Sequence, residues 1–229
     1  MKLINKLLTV FTLIIHSYLP VCLLSSVLFD LNVRFYYPLI PSIITLLFTL
    51  STLIFAFVFS ESSPLTKILS VIILPLSAIN FSFYFIYSQS TPATVISIVS
   101  FVLAAILTVK NLKHIALRIT FSIIAAAIGV ITFVLSLVFA IAIGLGTKSV
   151  IYTSVSPSEN YRAEVSNQNS IITNGQNIII YDTDKEFRPP FIHLFPDGKI
   201  VFSGKWDESS TIDWQGDEII INGEHIKTN

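Results

Sequence analysis

The sequence predicts an integral membrane protein: an α-helical bundle of about five transmembrane helices followed by a small all-β, antiparallel C-terminal domain. Three observations carry this. Of the 229 residues, 53% are apolar and only 12% charged, with mean hydropathy +0.76, whereas soluble domains carry about 25% charged residues. Five long runs in residues 1–147 contain no Asp, Glu, Lys or Arg. From Lys148 onward, short β-type runs alternate with turn residues. The charge deficit excludes a disordered, fibrous or disulfide-scaffold chain, and the single Cys22 cannot form an intramolecular disulfide.

A helix needs about 20 apolar residues to cross a hydrocarbon core about 30 Å thick. The five runs are Leu7–Phe29, Leu39–Ser60, Ile68–Ser88, Ala93–Val109 and Ile119–Gly146, giving expected spans 7–29, 39–60, 68–88, 93–109 and 119–146 within a domain of residues 1–147. The fourth run is the shortest and starts after Pro92, a residue favoured in the first helical turn. The fifth is the longest and has length enough to tilt or project.

Orientation follows from the bases in short loops, which are held on the cytoplasmic side. With the N-terminus inside, Lys2, Lys6, Lys67, Lys110, Lys113 and Arg118 face the cytoplasm and only Arg34 lies outside. Five spans then leave the tail extracytoplasmic. Tyr36, Tyr37, Tyr84 and Tyr87 fall at the outer interface, where such rings are enriched. A fourth run that merely dipped would make the tail cytoplasmic and put Lys110, Lys113 and Arg118 outside, against the charge rule. The first run, Leu7–Phe29, exceeds a signal-peptide apolar core and lacks a small-residue cleavage site, so it reads as a retained anchor.

Ionisable groups inside a span are costly and mark ion paths, proton relays or substrate sites. The candidates are His16 and, as an uncharged polar group, Asn80. Each reads either as a functional group or as an interhelical hydrogen-bonding group, and the second reading is favoured. Pro20 and Pro75 should kink their helices and free backbone carbonyls. Ala125-Ala126-Ala127 with Gly129 permits close helix approach, and Cys22 reads as buried apolar filler. The bases of Lys110–Arg118 would face anionic headgroups, at about 1 kcal/mol each.

The front part is net +5 and residues 148–229, with seven bases against twelve acids, net −5. Strands are expected at Val150–Val155, Tyr161–Val165, Asn177–Tyr181, Phe191–Phe195, Lys199–Phe202, Thr211–Trp214 and Glu218–Ile221. Asn174-Gly175, Pro196-Asp197-Gly198 and Asn222-Gly223 offer the positive φ that tight hairpins need. His193 should face solvent or a neighbouring strand, and neither it nor His225 has metal-ligand spacing. Asp182–Asp184 and Asp207-Glu208 read as turn or solvated-edge acids without a calcium-loop pattern. There is no G-x-S-x-G elbow, and an acidic tail repels phosphate backbones, which argues against nucleic acid.

Ser156-Pro157-Ser158-Glu159-Asn160-Tyr161-Arg162-Ala163 resembles an "SPxGxY" strand–turn–strand opening, and Ile212-Asp213-Trp214-Gln215-Gly216-Asp217-Glu218-Ile219-Ile220-Ile221-Asn222-Gly223 a "W-x-x-D-x-x-I-x-I-N-G" closing hairpin. Together they are similar to a small exported β domain of uncharacterised, largely Gram-positive bacterial membrane proteins. The likeness is confined to these two stretches of the tail, and the pattern's first-turn Gly is replaced by Glu159-Asn160. It implies a fold and no catalytic site.

The functional expectation is a non-enzymatic, multi-pass protein of the cytoplasmic membrane that presents its β domain for partner binding or envelope sensing. The runner-up is a component or accessory subunit of a transport system, with His16, Asn80, Pro20 and Pro75 lining a path. No catalytic, cofactor-binding or metal-ligating residue is assigned and no cofactor is expected. The expected partners are the lipid bilayer and another membrane or cell-surface protein.

Overall fold

The computed structural model describes residues 2–58, 63–88, 90–112, 114–144, 146–170, 174–205 and 212–227. The expectations for Asp207-Glu208, Thr211 and Lys113 lie outside these residues. Five helices come first: α1 (Lys2–Leu28), α2 (Leu39–Val58), α3 (Pro64–Tyr87), α4 (Thr91–Asn111) and α5 (Ile115–Gly144). All five are long and apolar enough to cross a membrane. The fourth, the shortest uncharged run in sequence, is 21 residues long as a helix, about 31 Å at 1.5 Å per residue. Ser90 caps it, accepting from Ala93 N, with Pro92 in the first turn; Ser63 caps α3 in the same way through Thr66 N.

The described residues contain nine strands, one before α2 and eight after α5: β1 (Leu31–Phe35), β2 (Gly146–Val155), β3 (Tyr161–Ser170), β4 (Asn174–Asp182), β5 (Ile192–Pro196), β6 (Lys199–Lys205), β7 (Ile212–Gln215), β8 (Glu218–Ile221) and β9 (Glu224–Ile226). They form an antiparallel sheet β2-β3-β4-β6, a three-stranded antiparallel sheet β7-β8-β9, and the pair β1-β5. Packing divides the chain into two compact units. The first comprises Met1–Val27, Arg34–Ala140 and Pro190–Ile192; the second comprises Leu28–Val33, Ile141–Pro189 and His193–Asn229.

The first unit exposes many apolar side chains and buries many polar ones beside its apolar core. On α1, Asn5, Thr9, Thr12 and His16 are buried, while Leu7, Phe11, Ile14, Val21 and Leu24 are exposed. On α2 the buried set includes Ser42, Thr45, Thr49 and Thr52, and the exposed set Ile43, Leu47, Leu50, Ile54 and Phe57. Water would select the reverse arrangement, because burying a Leu or Phe side chain stabilises by about 1.5–3 kcal/mol.

The second unit follows the aqueous rule. Alternation on β3 and β4 sends Ala163, Val165, Ile178 and Ile180 to one face, where they pack with Ile219 and Ile221 of β8. Trp214 Nε1 on β7 donates to Ser154 Oγ on β2 at 2.9 Å, joining the two sheets. The opposite face of β4 is also covered, since Ile179 and Tyr181 pack with Phe195 of β5. A central strand buried on both sides explains the unbroken run Ile178-Ile179-Ile180.

Several local expectations change. Residues 30–38, read as a plain loop, contain β1, and β9 extends the last hairpin. Gly175 lies in the ladder, opposite Gln168 and Lys205, and a Cβ there would come 2.9 Å from Gly204 O. Gly198 is needed for room rather than for φ, because its Cβ would strike Ile179 Cγ2 at 2.2 Å. Asn222-Gly223 does form a two-residue turn with φ of 51° and 86°, the type I′ signature. Glu159, standing where the resembling pattern has Gly, takes φ of 64°. That left-handed turn is held by Thr183, whose Oγ1 donates to Glu159 O and whose N donates to Asn160 O at 3.0 Å.

A non-glycine residue in this conformation costs about 1–2 kcal/mol, and glycine's extra entropy returns part of that. Glu159→Gly is therefore expected to stabilise the β unit by about 0.5–1 kcal/mol, read as a higher urea midpoint of the full chain by tryptophan fluorescence. Glu159→Ala should give no such gain.

Candidate functional site

Two clusters of polar side chains are built into the chain, one in each unit. In the second unit, Arg162 and Glu164 stand two positions apart on β3 and share the face covered by β5. Opposite Arg162 in the ladder is Tyr181, whose ring lies 4.7 Å below the guanidinium carbon. The chain leaves β4 through a 3-10 turn, Thr183–Lys185, capped by the Asp182 carboxylate on Asp184 N. This turn delivers Glu186 to the cluster.

Glu186 is its hub. Oε1 accepts from Arg162 Nε at 2.8 Å, with Nη2 in ion-pair contact at 2.6 Å. Oε2 accepts from His193 Nε2 at 2.9 Å and from Arg188 Nη2 at 2.7 Å. Arg162 Nη1 also donates to Glu164. The side chains of Glu164, Glu186 and His193 are no more than 2% exposed, while that of Arg188 is 58% exposed. Burial pushes the Glu186 pKa up, but hydrogen bonds from His193, Arg188 and Arg162, with the Arg162 charge, override it and hold the carboxyl at about 2. Both oxygens are occupied and the group stays ionised, which suits a charge anchor; a general base needs an open oxygen and a pKa near the working pH.

This corrects the sequence expectation for His193, which is buried against Glu186 and 5.0 Å from the Phe195 ring. Its strand is covered on both faces, so simple alternation misplaces it. No role is assigned from sequence to the remaining charged partners, Arg162, Glu164, Glu186 and Arg188. The signal was present: charges alternating with Ala163 and Val165, beside a sheet whose central strand is apolar on both faces, must be buried and therefore paired. Asp182 pairs with Lys185 at 3.0 Å, and His225 lies 3.8 Å from Glu218, both at the surface. Among the described residues, no three His, Cys, Asp or Glu side chains are grouped to hold a metal ion.

In the first unit, the cluster centres on His16. Pro20 has no N–H, so the carbonyl of His16, four positions earlier, loses its helical donor. Asn80 Nδ2 from α3 supplies the replacement, donating to His16 O at 3.1 Å. The same amide lies 3.1 Å from His16 Nδ1, and His16 Nε2 lies 3.0 Å from Thr49 Oγ1 on α2. Because the amide is a donor, Nδ1 accepts and the neutral ring carries its proton on Nε2. Thr49 passes its own hydrogen to Thr45 O at 2.7 Å. One turn away, Thr12 and Thr52 bond across α1 and α2 at 2.7 Å. Thr108 on α4 donates to Ser70 O on α3 at 2.7 Å, next to the carbonyl released by Pro75. Cys22 is buried as expected.

Because the Glu186 pKa is depressed on folding, its stabilisation is complete above the unfolded value of about 4.5, and it is lost as pH falls through the folded value of about 2. Urea titrations of the full chain across this window should show stability falling with pH. Glu186→Gln should flatten that fall, whereas Glu186→Ala at neutral pH should cost about 3–5 kcal/mol, as for a broken buried ion pair.

In the first unit, Asn80→Leu and His16→Leu are each expected to cost about 0.6–2 kcal/mol in detergent-denaturation midpoints. The double variant should cost less than the sum, since the two residues share one set of hydrogen bonds.

No protein-family model matches this chain, and neither a curated protein nor a solved structure matches it.

Proposed function

We propose that the chain is a non-enzymatic, multi-pass protein of a bacterial cytoplasmic membrane that holds its β unit on the outer side as a binding module for another membrane or cell-surface protein. The observation that carries the binding role is β2. It is a ten-residue strand at the end of its sheet, with no strand paired to its outer side among the described residues. Ile151, Tyr152 and Val155 on it are 48–54% exposed. Such an edge accepts an extended segment of a partner as an added strand, main-chain bonds supplying affinity and the exposed side chains selectivity.

Residence in a bilayer is supported by the first unit's inverted packing, since no aqueous bundle gains by exposing Phe11, Leu47 and Ile54 while burying Thr12, Thr49 and Thr52. Outward placement of the β unit is supported by the bias of six bases to one in the connections. A second support is that Leu28–Val33, between α1 and α2, belongs to the same compact unit as the C-terminal strands. With the N-terminus inside, that connection lies outside. The five-helix count carries the tail to the same side.

Single cysteines in a Cys22→Ser background test the placement. Asp184→Cys should react with a membrane-impermeant maleimide in intact cells, and His114→Cys only after permeabilisation; the opposite pattern overturns the orientation. A photo-crosslinking residue at Tyr152 then tests binding. One defined partner should be captured, and Ile151→Lys should abolish the capture without unfolding the protein. Recovery of nothing but copies of this chain would reassign the edge to self-assembly.

A further inference from the structure

Between α4 and α5, with Phe57 of α2 closing one wall, lies a cleft of about 560 Å³. This is within the range of about 300–1,000 Å³ typical of ligand sites. Its walls are apolar, formed by Phe101, Ile106 and Val109 on α4 and by Ala125 and Ala126 on α5. At one end stand two cations, Lys110 and Arg118. From Phe101 to Lys110 the cleft follows α4 for about 13 Å at 1.5 Å per residue.

We propose that this cleft is a binding site for one anionic phospholipid, with an acyl chain along the apolar walls and the phosphate between Lys110 and Arg118. No acidic side chain is among the lining residues, and neither cation has an acidic partner among the described residues. Lys110 Nζ instead sits 4.7 Å over the Phe57 ring, itself part of the cleft wall. Arg118 Nε is tied to Leu112 O at 2.8 Å. That bond fixes the guanidinium plane and leaves both Nη groups for a bidentate grip on phosphate.

The helices explain why the gap exists. At its far end α5 comes close to α4, where a Cβ on Gly129 would lie 3.0 Å from Phe101 Cε1. Toward the α4–α5 turn, the small Ala125 and Ala126 leave the space unfilled. α5 buries little of itself, with Ile119, Ile123, Val130 and Ile131 all exposed, so its seating against α4 depends on what fills the cleft. A phospholipid with a negative head and one of its acyl chains in the cleft matches the walls and the mouth together, whereas a soluble anion matches only the mouth.

The inference rests on the bundle residing in a bilayer, but not on which side the tail occupies. Full-chain protein in a non-ionic detergent is titrated with phosphatidylglycerol or phosphatidylcholine and read by native mass spectrometry. One phosphatidylglycerol should be retained about tenfold or more in preference to phosphatidylcholine. The double variant Lys110→Gln with Arg118→Gln should erase that preference while leaving circular dichroism unchanged. Ala126→Phe, which fills the cleft, should reduce retention of both lipids. Equal retention of the two lipids by the unsubstituted chain, or a preference that survives loss of both cations, overturns the proposal. So does displacement of phosphatidylglycerol by inorganic phosphate, which would make the cations a soluble-anion site. These results are independent of the maleimide labelling, so either reading can fail without the other.

Discussion

A hydrocarbon solvent offers no hydrogen bonds, and in the bilayer reading most of the first unit follows from that constraint. Polar groups there find partners within the protein rather than in solvent, so many Thr, Ser, Asn and His side chains turn inward while many Leu, Ile, Val and Phe side chains turn outward. The chain at Pro20 shows how far this reaches. A proline in α1 strips the His16 carbonyl of its donor; Asn80, two helices further along the chain, supplies another and fixes the imidazole tautomer as it does so. The histidine then orients toward Thr49. A helix-breaking residue and the buried imidazole of α1 are thus parts of one arrangement joining three helices.

The β unit obeys the same demand for satisfied polar groups in the opposite solvent. Water covers its outer surfaces, but β4 is covered on both faces, so charges directed to the β5 side cannot reach solvent. Arg162, Glu164 and Glu186 are retained there because each finds an opposite charge, with Tyr181 beneath the guanidinium. Replacing such a network by apolar groups is often neutral or stabilising, while deleting one member is not. The cluster therefore acts as a register pin, holding β3, β5 and the turn after β4 in a single arrangement.

What was legible in sequence was what local composition determines. The five helices could be read because the cost of a charge in hydrocarbon is local to each run, and seven tail strands because Val, Ile, Phe and Tyr cluster between turn residues. The Asn222-Gly223 turn was equally local. β1 was not legible, since Leu31–Phe35 becomes a strand only by pairing with β5, beyond all the remaining helices. Asn174-Gly175 has the composition of a turn, but the β3–β4 ladder runs through to Asn169 opposite Asn174, and register outweighs turn preference. His193 was misplaced because alternation assumes one wet face. The cleft was invisible because it requires α4 and α5 to approach at Gly129 and part toward Lys110 and Arg118, which no single segment encodes.

The two edges of the four-stranded sheet sharpen the functional argument. An exposed edge invites unwanted pairing, and native chains blunt it with lysines, prolines or bulges. β6 begins and ends with a lysine, Lys199 and Lys205. β2 carries one, Lys148, ahead of a bulge at Ile151; Ile151 and, beyond it, Tyr152 and Val155 are exposed. Regular pairing with β3 resumes from Tyr152 to Val155. In the proposed binding role, the β2 edge would be the one open to a partner strand.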